Sequence, residues 1–310
     1  MNEQILLEKL RRLEHKYSAS GQNLESYLDG LFEMDFLSYW DYIHLDTLLS
    51  LQSPRTQLPD EKIFIIYHQV TELYFKLILS ELEQICKPLE DDKQVPETRI
   101  RRINRYFDIL IQSFRVMSEG MEPAQFMRFR MALLPASGFQ SVQYRYIELM
   151  CTSVDNLLET SYRSPLATGT LEEKLEKLYW RSGSTDLETG KKTLTLSRFE
   201  EKYDFDILKC ARIFQENNLN YLLENSRLGE LSVGLKESLR DLDTKANVAW
   251  RLAHLHSATR YLKKTDTAVE ATGGTNWQRY LPPRFQKVVF FPSVWSEEEL
   301  NEWGKQMMAL

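Results

Sequence analysis

The feature that most constrains this chain is the run Asp60–Leu82, D-E-K-I-F-I-I-Y-H-Q-V-T-E-L-Y-F-K-L-I-L-S-E-L. It contains neither glycine nor proline and is apolar around much of a helical circumference. A helix of that kind belongs in an interior. One titratable ring, His68, falls in its middle. A buried imidazole needs a partner, so His68 is either a satisfied core residue or part of a site.

The rest of the chain also reads as helical. Only 12 glycines and 10 prolines occur among 310 residues, which favours long helices over turn-dense β architecture. Leu6, Leu10, Leu13 and Tyr17 form one stripe at helical spacing, and Ile100, Ile103, Phe107, Ile111 and Phe114 form another within Arg99–Met117. Phe139–Leu158 and Leu231–Lys264 carry the same pattern. Ser197-Arg-Phe-Glu200 and Ser296-Glu-Glu-Glu299 match the capping box that opens a helix. Breaks are expected at Leu134–Phe139, at Ser182–Thr195 as an exposed excursion, and at Thr265–Trp277 as a mobile glycine-containing loop. No composition shift marks a boundary, so residues 1–310 are expected to form one all-α domain.

Charge and cysteine content narrow the function. A formal net charge of −6 argues against broad nucleic-acid binding. Three widely spaced cysteines, Cys86, Cys151 and Cys210, suggest neither a disulfide framework nor a cysteine zinc site. The N-terminus lacks a signal-peptide pattern, and no apolar run is long enough to span a membrane. A soluble cytoplasmic protein is expected.

Several chemistries fail on spacing. Gly190-Lys-Lys-Thr193 lacks the order of a P-loop, and G-x-G-x-x-G, H-E-x-x-H and G-x-S-x-G are absent. A di-iron bundle wants two Glu-x-x-His pairs, whereas the nearest match is Asp41-x-x-His44. The basic run Arg99–Arg105 reads as a solvated helix face.

Five histidines remain: His15, His44, His68, His254 and His256. His254 and His256 stand about 200° apart on a helix and cannot chelate one metal there. Trp250, His254, Ala258 and Tyr261 form one stripe, which makes His254 the inward ring. Small Ala258 would leave room beside it for something flat. Spacing alone leaves both a structural histidine and a ligand open.

Motifs in a fixed order carry a resemblance. These are Tyr39-x-x-Tyr42-x-x-Leu45, Phe64-Ile-Ile-x-His68-Gln69 with Glu72-Leu73, Phe129-Arg130 with Pro135-Ala-Ser-Gly-Phe-Gln-Ser141, Trp250-Arg-x-x-His254 and Thr272-Gly-Gly274. From about Tyr27 to the C-terminus the chain resembles the tryptophan 2,3-dioxygenase family, in its flavobacteria-like bacterial form.

The resemblance implies an all-α, haem-binding helical bundle of the tryptophan/indoleamine dioxygenase type. It implies haem b, ferrous in the active state, and a homotetramer built as a dimer of dimers, with the N-terminal ~50 residues packing on a neighbouring subunit. The implied reaction inserts both atoms of O2 across the indole C2–C3 bond of L-tryptophan, giving N-formyl-L-kynurenine. His254 matches the proximal haem ligand, and His68 the distal histidine that meets the indole N–H. Phe64 and Phe126 match walls of the indole pocket, and Arg130 the residue that holds the substrate carboxylate. Ser137 and Trp250 match residues near the haem, and Thr272 a contact to the amino-acid end of the substrate. Tyr39 and Tyr42 match tyrosines that reach a neighbouring subunit's pocket. Ala271-Thr-Gly-Gly-Thr275 departs from the family's usual Gly-Thr-Gly-Gly-Ser, which bears on loop closure. A haem oxygenase or hydroxylase of the same fold acting on a modified indole or another aromatic amino acid, and a non-catalytic haem-binding or helical interaction protein, are the competing readings.

Overall fold

The periodic segments fold as helices in the computed structural model, which describes residues 3–87, 96–133, 135–185, 190–262, 283 and 287–305. The chain divides into two compact units, Met1–Ser53 and Pro54–Leu310.

The first unit contains α1 (Glu3–Ala19), α2 (Leu24–Phe32), α3 (Tyr39–Tyr42) and α4 (Leu45–Ser50). Asn23 caps α2 by accepting from the Glu25 amide at 2.8 Å. No residue of these four helices is buried. Phe32 and Phe36 are each 86% exposed.

The second unit is built on α5 (Asp60–Cys86), α6 (Pro96–Ser118), α7 (Pro123–Phe129) and α8 (Val142–Cys151). Four short helices and one long one follow: α9 (Val154–Leu157), α10 (Leu171–Glu176), α11 (Tyr179–Ser182), α12 (Leu194–Phe214) and α13 (Leu219–Glu224). Next come α14 (Val233–Thr244), a π turn over Lys245–Ala249, and α15 (Trp250–Leu262). Among the described residues the only β pairings are two isolated bridges, Leu158 with Leu178 and Thr185 with Lys192. No helix among them is long and apolar enough to cross a membrane.

The long helix α5 packs on α6 and α8, and α14 packs on α6. Ile78, Leu82, Ile100, Ile103, Phe107, Leu110, Ile147 and Leu239 are buried where these helices meet. Contrary to the sequence reading, α5 is not enclosed all round. Ile66, Val70, Leu73 and Leu77 form an exposed stripe along one face.

Three local expectations change. Arg99 is buried rather than solvated, held by Glu81 at 3.3 Å and Gln84 at 2.7 Å. A guanidinium in the interior needs such partners, and charge patterning alone cannot reveal them. Thr193, not Ser197, opens α12, its hydroxyl accepting from the Leu196 amide. Ser184 and Thr195 are buried at the base of the 182–195 excursion, while Gly190–Lys192 are exposed. The Ser296–Glu299 capping box forms as read.

The C-terminal segment returns to α14 through one fully buried carboxylate, Asp243. It accepts from the Phe290 and Phe291 amides at 2.8 and 3.1 Å, from Trp295 Nε1 at 3.1 Å and from Asn247 Nδ2 at 2.8 Å.

Candidate active site

One face of α5 lines a cavity of about 330 Å³, within the usual range of ligand sites. Phe64, His68, Thr71, Glu72 and Phe75 follow one another along that face at helical steps. Phe114 and Met117 come from α6, Phe126 from α7, and Ser137 and Gly138 from the connection to α8. The opposing contribution is the stripe Trp250, His254, Ala258 and Tyr261 on α15.

The cavity has two chemically different parts. One is aromatic: the ring centroids of His68 and Phe64 are 4.1 Å apart, those of Phe64 and Phe126 6.3 Å, and those of Phe126 and Tyr261 4.7 Å. The other is cationic. Arg145, Tyr179 and Arg251 line it. Arg145 Nη1 and Arg251 Nη2 both donate to the Tyr179 hydroxyl, at 3.2 and 2.7 Å. That hydroxyl donates to Glu148, which pairs with Arg145 at 2.9 Å. Burial pushes the Glu148 carboxyl upward, and the two guanidiniums draw it back down. Two buried guanidiniums and one buried carboxylate thus stand together beside the cavity, and burial leaves the Glu148 carboxyl above its ordinary value.

His68 Nδ1 lies 2.7 Å from the Phe64 carbonyl. A carbonyl can only accept, so Nδ1 carries the proton and Nε2 keeps its lone pair. Solvent reaches the ring through the cavity, yet protein surrounds it. Burial lowers its pKa, offset by the Phe64 carbonyl and the Glu72 charge. His68 is therefore a neutral hydrogen-bond acceptor at neutral pH.

His254 is neutral as well, its pKa lowered to about 4 by burial and by the neighbouring His68. Phe114 stacks on its ring at 5.8 Å and 22°, and Trp250 packs on Phe114 at 4.5 Å. Among the described residues nothing hydrogen-bonds to the His254 ring. Gly138 faces it closely: a Cβ there would stand 3.0 Å from Cε1 and 3.6 Å from Nε2. Any larger residue would fill the space beside that ring edge.

The π turn bears on this placement. It takes in one more residue per turn than an α-helix, which turns everything beyond it by about 100°. Asp243, before the turn, faces the C-terminal segment; Arg251 and His254, after it, line the cavity.

The cavity brings together Phe64, Phe126, Ser137, Trp250, His68 and His254 of the expected site. Arg130 is buried at the start of the 3₁₀ turn that follows α7, but it is not part of the cavity wall. Tyr39 and Tyr42 belong to the first unit and are 71% and 74% exposed. Thr272 and the 265–277 loop lie outside the described residues. The sequence reading missed Arg145, Glu148 and Tyr179, and gave Arg251 no role. Arg251 carried the one available signal, three residues before His254.

Comparison with known proteins gives a consistent result. The sequence model of the tryptophan 2,3-dioxygenase family matches residues 28–194. The chain is 31% identical over 272 residues to the tryptophan 2,3-dioxygenase of Ruegeria sp. (strain TM1040), covering 84% of this chain and 92% of that protein. It is 32% identical over 273 residues to that of Herpetosiphon aurantiacus, covering 84% and 96%. For the Cupriavidus necator protein of the same name the identity is 29% over 281 residues, covering 85% and 88%.

Proposed function

The chain belongs to the tryptophan 2,3-dioxygenase family, and from that premise we propose that it cleaves the indole C2–C3 bond of L-tryptophan with O2. The product is N-formyl-L-kynurenine, and the reaction opens tryptophan breakdown by the kynurenine route. The observation that carries this reading is the pair of neutral histidines, His68 and His254, sharing one cavity walled by aromatic rings.

Haem is the cofactor this reading requires, and the residues fit it. Among the described residues no cluster of three or more His, Cys, Asp or Glu could hold a bare metal ion. His254 is thus a single neutral ligand, as an iron already held by a macrocycle needs. Its unpartnered ring and the space kept clear at Gly138 suit a flat group. Arg145 and Arg251, which line the same cavity, are donors of the kind that suits that group's carboxylates. When bound, ferrous haem would supply the site at which O2 is activated.

The chain's own residues do the rest. His68 Nε2 accepts from the indole N–H and sets the ring's orientation. An indole N–H is a very weak acid, so His68 orients it rather than removing its proton. Phe64 and Phe126 flank the ring and keep water from it. Arg130 is the partner for the substrate carboxylate. The family motif Phe129-Arg130 supports this role, and the planar guanidinium fork is the group that pairs both oxygens of a carboxylate. Thr272 is the contact to the substrate's amino-acid end.

The apolar surface of the first unit supports assembly. Large exposed rings such as Phe32 and Phe36 are unusual on a lone soluble protein. A homotetramer, formed as a dimer of dimers, would cover them and bring Tyr39 and Tyr42 to a neighbour's pocket. Three cysteines without a disulfide accord with a cytoplasmic location.

The test is direct. The protein is loaded with haem, reduced, and given L-tryptophan under air, and N-formylkynurenine is followed by its absorbance. Ferrous, haem-bound protein that forms none would overturn the reading.

A further inference from the structure

Tyr261 lines the cavity yet has no role in the reaction described above. It lies on α15 two turns beyond His254, about 10 Å along the axis. Its ring is 4% exposed and packs on Phe126 at 4.7 Å. Its hydroxyl donates to the Met117 carbonyl, with the Met121 carbonyl 3.4 Å away. Met117 lies in the last turn of α6 and Met121 just past it, where helix carbonyls lack intrahelical partners. The hydroxyl is thus tied to main chain, with the neighbouring Arg260 side chain as a further partner, and the ring faces the cavity with carbon.

A ring fixed at its tip and packed on its face cannot swing aside. His68, Phe64, Phe126 and Tyr261 form a continuous run of rings, with Tyr261 at the end away from His68. A flat substrate whose N–H meets His68 would extend along that run. We infer that Tyr261 is a specificity-determining residue, a rigid end wall that excludes substituents on the benzo ring of an indole amino acid. This rests on the reading of the site as one for tryptophan. A close-packed wall discriminates against one added carbon by about 10- to 200-fold.

The experiment uses the haem-loaded full chain with L-tryptophan and its 4-, 5-, 6- and 7-methyl derivatives. Dissociation constants come from titration calorimetry and kcat/KM from product formation. The wild type is expected to reject at least one isomer by about tenfold or more. Tyr261→Leu should relax that isomer's ratio by at least about threefold and leave the other ratios in place. Tyr261→Phe keeps the ring and its packing but frees the tip, and should relax the ratio by less than Tyr261→Leu does. If Tyr261→Leu fails to fold, judged by its Soret band and far-UV spectrum, Tyr261→Met takes its place, because its unbranched chain adapts to fill an irregular gap.

Ratios that do not move, or that all move together as a merely loosened pocket would give, overturn the inference. So does a wild type that accepts all four isomers. Binding of tryptophan without N-formylkynurenine would remove the dioxygenase reading alone, and the binding ratios would still decide the wall. No binding of any indole amino acid would remove both.

Discussion

The Nδ1 of His68 donates to the carbonyl of Phe64, one turn earlier, at 2.7 Å. That bond fixes the ring's tautomer, and the cavity therefore meets a bare Nε2. The acceptor has one natural partner in this reading, the indole N–H. L-Tryptophan should then be favoured over 1-methyl-L-tryptophan by roughly 10- to 100-fold in kcat/KM, the range for a hydrogen bond lost at a buried polar group. In His68→Ala the gap between the two substrates should close to within a few-fold. A gap that survives the substitution would remove His68 from the indole N–H.

His254 offers the cavity an uncharged nitrogen without a protein partner among the described residues. His254→Gly should therefore lose the histidine-ligated Soret band, and added imidazole should restore it by entering the space the side chain leaves. An unaltered spectrum in the variant would mean that another residue holds the iron.

The same burial makes the haem-free protein sensitive to acid. An unfolded chain titrates histidine near 6.5, whereas folded His254 titrates at about 4. Between those values the unfolded state binds more protons, so stability rises with pH. The contribution is complete above pH 6.5 and is lost as pH falls through about 4. His68 is displaced in the same direction. For His254 alone the loss amounts to about 3 kcal/mol. In urea unfolding of the haem-free proteins, the wild type should lose about 3 kcal/mol more stability between pH 7 and pH 4 than His254→Leu does. Curves that stay parallel would contradict the assignment.

Periodicity made part of this site legible. Phe64 and His68 share a helical face, and so do Trp250, His254, Ala258 and Tyr261; one turn of helix brings each set together. The cationic part was not legible. Arg145 and Glu148 look like an ordinary i,i+3 surface pair, and their partners Tyr179 and Arg251 come from distant helices. Only packing tells a buried guanidinium from a solvated one, and Arg99 was misread for the same reason. The π turn was hidden too, because a one-residue shift in helical phase leaves no compositional mark.

The Tyr179 hydroxyl joins Arg145, Arg251 and Glu148. Tyr179→Phe would leave two buried guanidiniums short of an acceptor and Glu148 short of a donor. A cost of about 1–3 kcal/mol is expected, read as a lower urea midpoint for the haem-free protein. Weaker haem binding should accompany it, because the arginines would lose their fixed positions. A variant with the wild-type midpoint and haem affinity would show that Tyr179 does not organise the pair.

The π turn at Lys245–Ala249 supplies the last test, because it sets the phase of α15 independently of that helix's composition. Deleting Ala249 would return the segment to α geometry, turning Trp250, Arg251 and His254 by about 100°. His254 would leave the cavity, while Asp243 would keep its hold on Phe290 and Phe291. Helix content in the far ultraviolet and cooperative unfolding should persist, and haem affinity should fall by at least tenfold. The single substitution Ala249→Ser keeps the phase and should bind haem as the wild type does. If the deletion variant folds and still shows the wild-type Soret band, the turn does not aim the ligand.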